Sequence, residues 1–124
     1  MRLILLIGGA GFVGAVARYL IGGWVHRVLP PGFPYGTLCV NVIGSFLLGA
    51  VFALSTERAA LDPELRLVLG VGFLGAFTTF STFSLETVNL LREGSLMLAA
   101  GNVGANVLLC LMAAWVGIGA TRLL

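Results

Sequence analysis

Four apolar runs divide the sequence, and each is long enough to cross a lipid bilayer. They extend over about residues 3–29, 36–55, 65–91 and 96–123, and are separated by "PPGFP", "TERAALDPELR" and "REGS". A transmembrane helix needs about 20 mostly apolar residues, and the prolines of the first break cannot continue a helix. The pattern predicts an all-α integral membrane protein with four transmembrane helices.

Composition agrees with a membrane environment. Hydrophobic residues make up 59% of the chain and charged residues only 10%, whereas about a quarter of the residues of soluble domains are charged. Four or five spans fill a chain of 124 residues, so residues 1–124 are interpreted as a single four-helix transmembrane domain. The first run is longer than a signal-peptide core and is interpreted as a retained helix. The lipid bilayer is the predicted environment, and no nucleic-acid partner is predicted.

The first run contains a glycine motif with two interpretations. Gly9, Gly11 and Gly14 have the G-x-G-x-x-G spacing of dinucleotide-binding proteins. That function requires an acidic residue about 20 positions later and alternating strands and helices, but the first acid is Glu57. In a membrane, small residues such as Ala10 and Gly14 let helices approach closely. Helix packing is therefore the predicted role.

Small and polar residues recur every four positions along the second and fourth runs. Residues with this spacing share one face of a helix. Such a face contacts protein or water, and interhelical hydrogen bonding is the simplest role for its asparagines. The two cysteines are interpreted as small core residues without a disulfide or metal. The two stripes are Asn41, Ser45, Gly49 and Ala53, and Asn102, Asn106, Cys110 and Ala114.

The third run contains the polar stretch "GAFTTFSTFSLE", with five hydroxyls, three phenylalanines and Glu86. Its glycines and adjacent threonines predict a helix broken near Gly75 to Thr79. Broken helices persist in membranes where protein or water satisfies the freed backbone groups, and their carbonyls commonly bind cations. The alternative for the hydroxyls is hydrogen bonding to the carbonyl four residues earlier. A carboxylate in an apolar run is a functional candidate.

These residues favour a pathway for a small ion. Hydroxyls and asparagine amides donate hydrogen bonds without a fixed positive charge, and phenylalanine rings present positive edges. An anion could lose its water there and still leave. The hydroxyls and Glu86 would suit a cation or a proton equally well, so the residue chemistry alone leaves the sign of the ion open.

Three stretches also carry a resemblance to a known family. "GFVGAVARY", "PYGTLCVNVIGSFLLG" and "GFLGAFTTFSTFSLE" resemble the signature blocks of the Fluc/CrcB family of bacterial fluoride channels. The resemblance implies an antiparallel, dual-topology homodimer in the bacterial cytoplasmic (inner) membrane, with two fluoride pores at its interface. It implies passive fluoride efflux that relieves fluoride toxicity.

The resemblance also implies roles for individual residues. Phe80 and Phe83 would present ring edges to the anion, and the carbonyls of Gly75 and Thr78 would hold a structural sodium ion at the dimer centre. In the fourth run the sequence departs from the family, which often has tyrosine and serine where this chain has asparagines. The remaining pore residues would be Asn41, Ser81, Thr82 and Glu86, and the residues interpreted as structural or at the pore mouth are Arg18, Asn102 and Asn106.

The charges of the connections permit insertion in both orientations. With four spans, one side of the membrane receives four arginines and three acids, and the other two arginines and one acid, so each side carries a net charge of +1. Orientation follows the arginine and lysine bias of short loops, which is small here. The alternative function is a small dual-topology cation- or proton-coupled exporter, although resemblance to the small multidrug exporters would call for a carboxylate in the first run. No catalytic constellation is predicted, because His26 has no nucleophile or metal partner nearby in sequence.

Overall fold

The computed structural model describes residues 1–123, and all regular structure within that range is helical. Four helical stretches are long and apolar enough to cross a membrane: Arg2–Val28, Tyr35–Thr56, Pro63–Arg92 and Leu96–Leu123. The prediction of an all-α chain with four spanning segments is therefore confirmed. The elements are α1 (Arg2–Val28), α2 (Tyr35–Thr56), α3 (Pro63–Leu67), a π-helical segment (Val68–Leu74), α4 (Gly75–Phe77), α5 (Phe80–Arg92), α6 (Leu96–Ala120) and a 3₁₀ turn (Thr121–Leu123).

The ends of the helices follow local sequence signals. The Asp62 side chain accepts a hydrogen bond from the backbone N–H of Glu64, and Pro63 occupies the first position of α3, a position where its missing N–H costs nothing. After α5, Gly94 has a positive φ of 78°, and its N–H donates to the carbonyl of Leu91. A left-handed glycine commonly ends a helix in this way, and it allows the short turn into α6.

Glycines allow the helices to pack closely. A Cβ atom at Gly49 in α2 or Gly117 in α6 would collide with the backbone of the facing helix. These two glycines therefore allow α2 and α6 to pack closely. A Cβ at Gly14 would collide with the carbonyl of Phe73, so α1 packs against the π-helical segment. By contrast, a Cβ at Gly9 would meet no atom within 4 Å. The predicted packing role of the first glycine motif is confirmed at Gly14.

Two ion pairs connect the helix ends at one end of the bundle. Arg122 Nε and Nη2 each lie 3.1 Å from a carboxylate oxygen of Glu57, which joins the C-terminal ends of α2 and α6. Arg2 Nε lies 3.6 Å from Oε1 of Glu64, so the start of α1 and the start of α3 are at the same end of the bundle. This side carries most of the charges that lie outside the spans.

Candidate functional site

The polar residues of the third span converge on two extended residues between α4 and α5. Thr78 has φ −84° and ψ 160°, and Thr79 has φ −152° and ψ 111°. In a continuous α-helix the N–H of Thr79 would donate to the carbonyl of Gly75. It donates instead to Oδ1 of Asn41 at 2.8 Å.

Asn41 in α2 binds both backbone groups of Thr79. Besides accepting from the N–H, its Nδ2 donates to the Thr79 carbonyl at 3.2 Å. In extended backbone the N–H and C=O of one residue point to the same side, as in the hydrogen-bonded pairs of antiparallel strands. The amide of Asn41 therefore pairs with Thr79 as a neighbouring strand would. It satisfies the backbone groups that would otherwise be costly at membrane depth.

Thr79 also starts α5. Its Oγ1 accepts from the N–H of Thr82 at 3.2 Å and donates to the Thr82 hydroxyl at 2.9 Å, while the Ser81 hydroxyl lies 3.3 Å away. A threonine at the N-cap satisfies one of the N–H groups left free at the start of a helix. The three hydroxyls of Thr79, Ser81 and Thr82 thus form one cluster at the N-terminus of α5. This cap was not predicted from the sequence, although a threonine just before the first turn of a helix is a common N-cap signal.

The carbonyls of Gly75 and Thr78 lack their helical donors. The N–H of Thr79 is bound to Asn41 and that of Thr82 to Thr79 Oγ1. Carbonyls at the C-terminal end of a helix carry partial negative charge. The two carbonyl oxygens therefore fit a cation held by the backbone. Arg18 Nη1 also donates to the Thr78 carbonyl at 3.5 Å, and its positive charge lies beside the same oxygen.

Three asparagines connect α2 with α6. Nδ2 of Asn41 donates to Oδ1 of Asn106 at 3.0 Å, and Nδ2 of Asn106 donates to the backbone carbonyl and to Oδ1 of Asn102, at 3.1 and 3.0 Å. Asn102 in turn donates to the hydroxyl of Thr87 in α5 at 2.9 Å. Asn41, Asn106 and Asn102 are all buried. The two predicted stripes therefore face each other and form the interhelical hydrogen bonds expected of them.

The five hydroxyls of the polar stretch divide into two groups. Thr78 donates to the carbonyl of Leu74 at 3.1 Å, and Ser84 to that of Phe80 at 2.8 Å. For these two, the simple alternative of bonding four residues back is confirmed. Only the Ser81 and Thr82 hydroxyls, with Thr79, belong to the cluster at the start of α5.

The phenylalanines also divide. Phe77 is buried and stacks on Phe73, with ring centroids 5.8 Å apart, so it belongs to the core. The rings of Phe80 and Phe83 lie 5.3 Å apart at an angle of 56°. Phe83 is 8% exposed, whereas Phe80 is 77% exposed. The first turn of α5 thus presents one covered and one uncovered ring.

Glu86 is paired on one oxygen. Its Oε1 accepts from the hydroxyl of Thr37 at 2.7 Å, and its buried Oε2 has no hydrogen-bond partner among residues 1–123. Thr37 was not among the predicted site residues, although it lies four residues before Asn41 on the polar face of α2. A cavity of about 470 Å³ adjoins the pair, and its polar lining includes Arg18, His26, Thr37, Thr79, Thr82 and Glu86.

Two further cavities follow this one, each sharing lining residues with the one before it. A cavity of about 370 Å³ shares Thr79 with it and is bordered by Asn41 and both rings of α5. A third, of about 830 Å³, shares Ser45 with the second and reaches Arg66 near the charged end. The structure thus gathers Asn41, Phe80, Phe83, Thr82 and Glu86 along one line of cavities. Ser81, Gly75 and Asn102 do not border any of the three.

This arrangement defines a class of protein: a four-span membrane protein whose buried polar side chains lie around two extended residues, Thr78 and Thr79. Comparison with known proteins gives the particular family. The family model described as "CrcB-like protein, Camphor Resistance (CrcB)" matches residues 5–118. The chain belongs to this family.

Curated relatives match over nearly the whole chain. A protein of Geobacter sulfurreducens named "Fluoride-specific ion channel FluC" is 51% identical over 122 residues, which cover 98% of both chains. Proteins with the same name from Geotalea daltonii (46%, 98% of both chains) and Magnetococcus marinus (50%, 95% of this chain and 94% of the relative) are similar to it. The resemblance drawn from the three sequence blocks is confirmed. The four spans and this family make the chain a multi-pass protein of the bacterial inner membrane.

Proposed function

We propose that this protein is a fluoride-selective channel, not an enzyme, through which fluoride leaves the cell passively and its toxicity is relieved. The name shared by the relatives supports the ion. The observation that carries the mechanism is the line of cavities past Asn41, Phe83 and Thr82. Neutral donors and ring edges line it in its middle part, where a lysine or arginine would hold an anion too tightly for rapid conduction.

The start of α5 is the anion-facing part of this pathway. The N-terminus of a helix carries a partial positive charge and free N–H groups. Phe80 and Phe83 stand on its first turn, and their ring edges are positive. A broken helix in a transporter directs such an N-terminus at an anion and its loose carbonyls at a cation. We interpret Thr78 and Thr79 as this break in the third span.

Asn41 could donate a hydrogen bond to fluoride only by giving up one that it already makes. Both hydrogens of its Nδ2 are engaged, one by the Thr79 carbonyl and one by Asn106 Oδ1. Fluoride bound at Asn41 would have to replace one of these acceptors. Ser81 and Thr82 have hydroxyls that can rotate, so they would donate to fluoride with less rearrangement. Glu86 would then be a neighbour of the pathway and not an ion ligand.

The single chain leaves part of this pathway open to lipid. Phe80 is 77% exposed, and Ser81 and Thr82 are also uncovered by the chain. Hydroxyls at membrane depth are stable against protein or water, not against lipid. We infer that a second copy covers them in an antiparallel, dual-topology homodimer. The small arginine bias between the two sides, four against two, supports insertion in both orientations.

A structural sodium ion at the dimer centre would complete the break. The carbonyls of Gly75 and Thr78 would hold it, because both lack helical donors. Bound there, sodium supplies positive charge that offsets the clustered carbonyl dipoles. Since such an ion does not move with fluoride, a sodium gradient should not drive fluoride flux.

Efflux from liposomes that contain only this protein tests the proposal. We expect fluoride to leave down its own gradient while chloride is retained, with no requirement for a sodium or proton gradient. Fluoride movement that follows a sodium or proton gradient would indicate the coupled exporter instead. Liposomes prepared without protein are the control.

A further inference from the structure

We propose that Asn106 and Asn102 are positioning residues of the pathway: they hold Asn41, and through it the Thr79 peptide, in the orientation from which α5 starts. The inference rests on the proposed function only for its transport measurements. Its structural part concerns the hydrogen bonds of the chain itself.

The side-chain amides of Asn41 and Asn106 have both of their hydrogens engaged. Asn41 Nδ2 gives one hydrogen to Thr79 and one to Asn106. Asn106 Nδ2 gives both of its hydrogens to Asn102, at the backbone carbonyl and at Oδ1. A primary amide has two hydrogens to donate. Asn106 therefore has none left for an ion, and its contribution to conduction has to pass through Asn41.

The backbone carbonyl of Asn102 fixes which way the side-chain amide of Asn106 faces, and Asn106 in turn fixes the amide of Asn41. The carbonyl of Asn102 is a pure acceptor and sets which side of the Asn106 amide carries its nitrogen. The oxygen of Asn106 then faces Asn41 and accepts from its Nδ2. If Asn41 turned over, its Nδ2 would face the N–H of Thr79 and two donors would oppose each other. Asn106 thus selects the one orientation in which Asn41 satisfies Thr79.

Burial makes the other orientation of the Asn41 amide costly. Asn102 is 0% exposed, Asn106 6% and Thr79 7%, so protein groups supply most of the hydrogen-bond partners of these residues. A buried donor without an acceptor is costly, whereas a paired one is close to neutral. Loss of the Asn106 oxygen would leave one Asn41 hydrogen unpaired and release its amide to rotate.

The Thr79 peptide is the part of this network that affects the pathway. Thr79 caps α5, and Phe80 and Phe83 lie on the first turn that follows. A change in the orientation of Thr79 therefore moves both rings together. Discrimination between fluoride and larger anions should depend on Asn106 although Asn106 gives no bond to the ion.

Amide hydrogen exchange tests the structural step. The N–H of Thr79 should exchange slowly in the wild type, because Asn41 holds it at 2.8 Å. Asn106→Leu should speed its exchange by about tenfold or more, the size expected for a buried hydrogen bond lost with its partner unpaired. Asn102→Leu should act in the same direction but less, since the backbone carbonyl of Asn102 remains. Asn89→Leu is the matched control, because Asn89 is exposed and lies outside the network; its Thr79 exchange should equal the wild type.

Transport measurements test the functional step. Asn106→Leu should reduce the ratio of fluoride to chloride efflux, and the double variant with Asn102→Leu should be no worse than Asn106→Leu alone, because residues that act in one chain are not additive. Asn106→Asp should keep most of the wild-type ratio of fluoride to chloride efflux that Asn106→Leu loses. A buried carboxylic acid takes up a proton and still offers one acceptor and one donor. Should Asn106→Leu fail to fold, Asn102→Leu and Asn106→Asp decide the question.

The proposal is wrong if selectivity falls while Thr79 exchange stays slow, or if the effects of the two substitutions multiply. Either result would mean that Asn102 and Asn106 act on the ion directly. Unchanged exchange in Asn106→Leu would also overturn it. Absence of fluoride efflux from the wild type would refute the proposed function alone, because the exchange result stands apart from transport.

Discussion

The hydroxyl of Thr37 donates to Oε1 of Glu86 at 2.7 Å and ties α2 to α5. It is the only side-chain hydrogen bond that Glu86 makes within residues 1–123, since Oε2 is buried without a donor. A hydrogen bond to a carboxylate is stronger than one between neutral groups. The pair therefore holds the middle of α5 against α2, about one turn beyond the hydroxyl cluster at Thr79.

Thr37→Val should destabilise the protein by about 1–3 kcal/mol, because it keeps the shape of the side chain but leaves the Glu86 carboxyl without its donor. The free energy of unfolding in detergent measures this. Thr37→Ser retains the hydroxyl and is the matched control. Equal stability of the two variants would mean that the bond contributes nothing.

Gly14→Ala should destabilise the protein by about 1–3 kcal/mol, because the added methyl group meets the carbonyl of Phe73 and forces α1 away from the π-helical segment. Gly9→Ala in the same helix meets no atom within 4 Å. It should be neutral or stabilising by up to about 1 kcal/mol, as helix propensity favours alanine. Unfolding of both variants in detergent gives the comparison, and equal loss in both would contradict the packing role of Gly14.

The Glu57–Arg122 pair should make stability depend on pH in acid. The hydrogen bond from Arg122 lowers the pKa of Glu57 below its ordinary value; desolvation opposes this shift, and the charges of Arg122 and Arg58 add to it. A group with a lowered pKa in the folded state stabilises the protein above its unfolded pKa, and this contribution is lost as the pH falls through the folded pKa. Glu57→Gln should therefore abolish part of the acid-dependent fall in melting temperature. High salt should weaken the effect, since the pair is exposed. Identical pH profiles for wild type and variant would refute this.

The main architecture was predictable because the solvent dictates it. Runs of about 20 apolar residues have one stable arrangement in a bilayer, so the four spans followed directly from the sequence. The facing stripes of Asn41 and Asn106 followed from helical periodicity, because a polar face in lipid must find a protein partner. Gly14 was assigned to packing for the same reason.

The partners of individual polar groups were less predictable. Thr37 and Glu86 are 49 residues apart, and Asn41 and Thr79 are 38 apart. Such pairs depend on the rotation and register of packed helices, and periodicity along one helix does not fix these. The division of hydroxyls between the cluster at Thr79 and local carbonyls also depends on where α5 starts. The sequence predicted a break near Gly75 to Thr79 but did not reveal that Asn41 binds the backbone of Thr79.

Dual topology predicts that a tag on the C-terminus is found on both faces of the membrane in comparable amounts. The physical reason is the small arginine bias between the two sides, four against two, because orientation follows the lysine and arginine bias of short loops. Accessibility of the tag to an impermeant label in intact and in permeabilised cells measures the two populations. Adding two lysines to the 93–95 connection should fix one orientation. Labelling of the unmodified protein on one face alone would rule out the antiparallel dimer.

The rings at the start of α5 give the prediction that separates an anion pathway from a cation pathway. Phe80→Met or Phe83→Met keeps most of the apolar bulk and removes the positive ring edge. If the edges help to dehydrate fluoride, efflux should fall sharply in each variant while expression and dimerisation stay near normal. Packing alone would cost typically less than about 1.5 kcal/mol of stability and leave efflux largely intact.

Phe12→Met is the control for this substitution, because Phe12 is 72% exposed on α1 and does not border any of the three cavities. Its fluoride efflux from liposomes should match the wild type. Neither ring variant should gain sodium or potassium conductance, since the other residues that line the cavity beside the rings carry no charge. Fluoride efflux unchanged in both variants would remove the rings from the mechanism. A cation current in the wild type without fluoride would instead make Glu86, with its unpaired Oε2, the principal ion ligand.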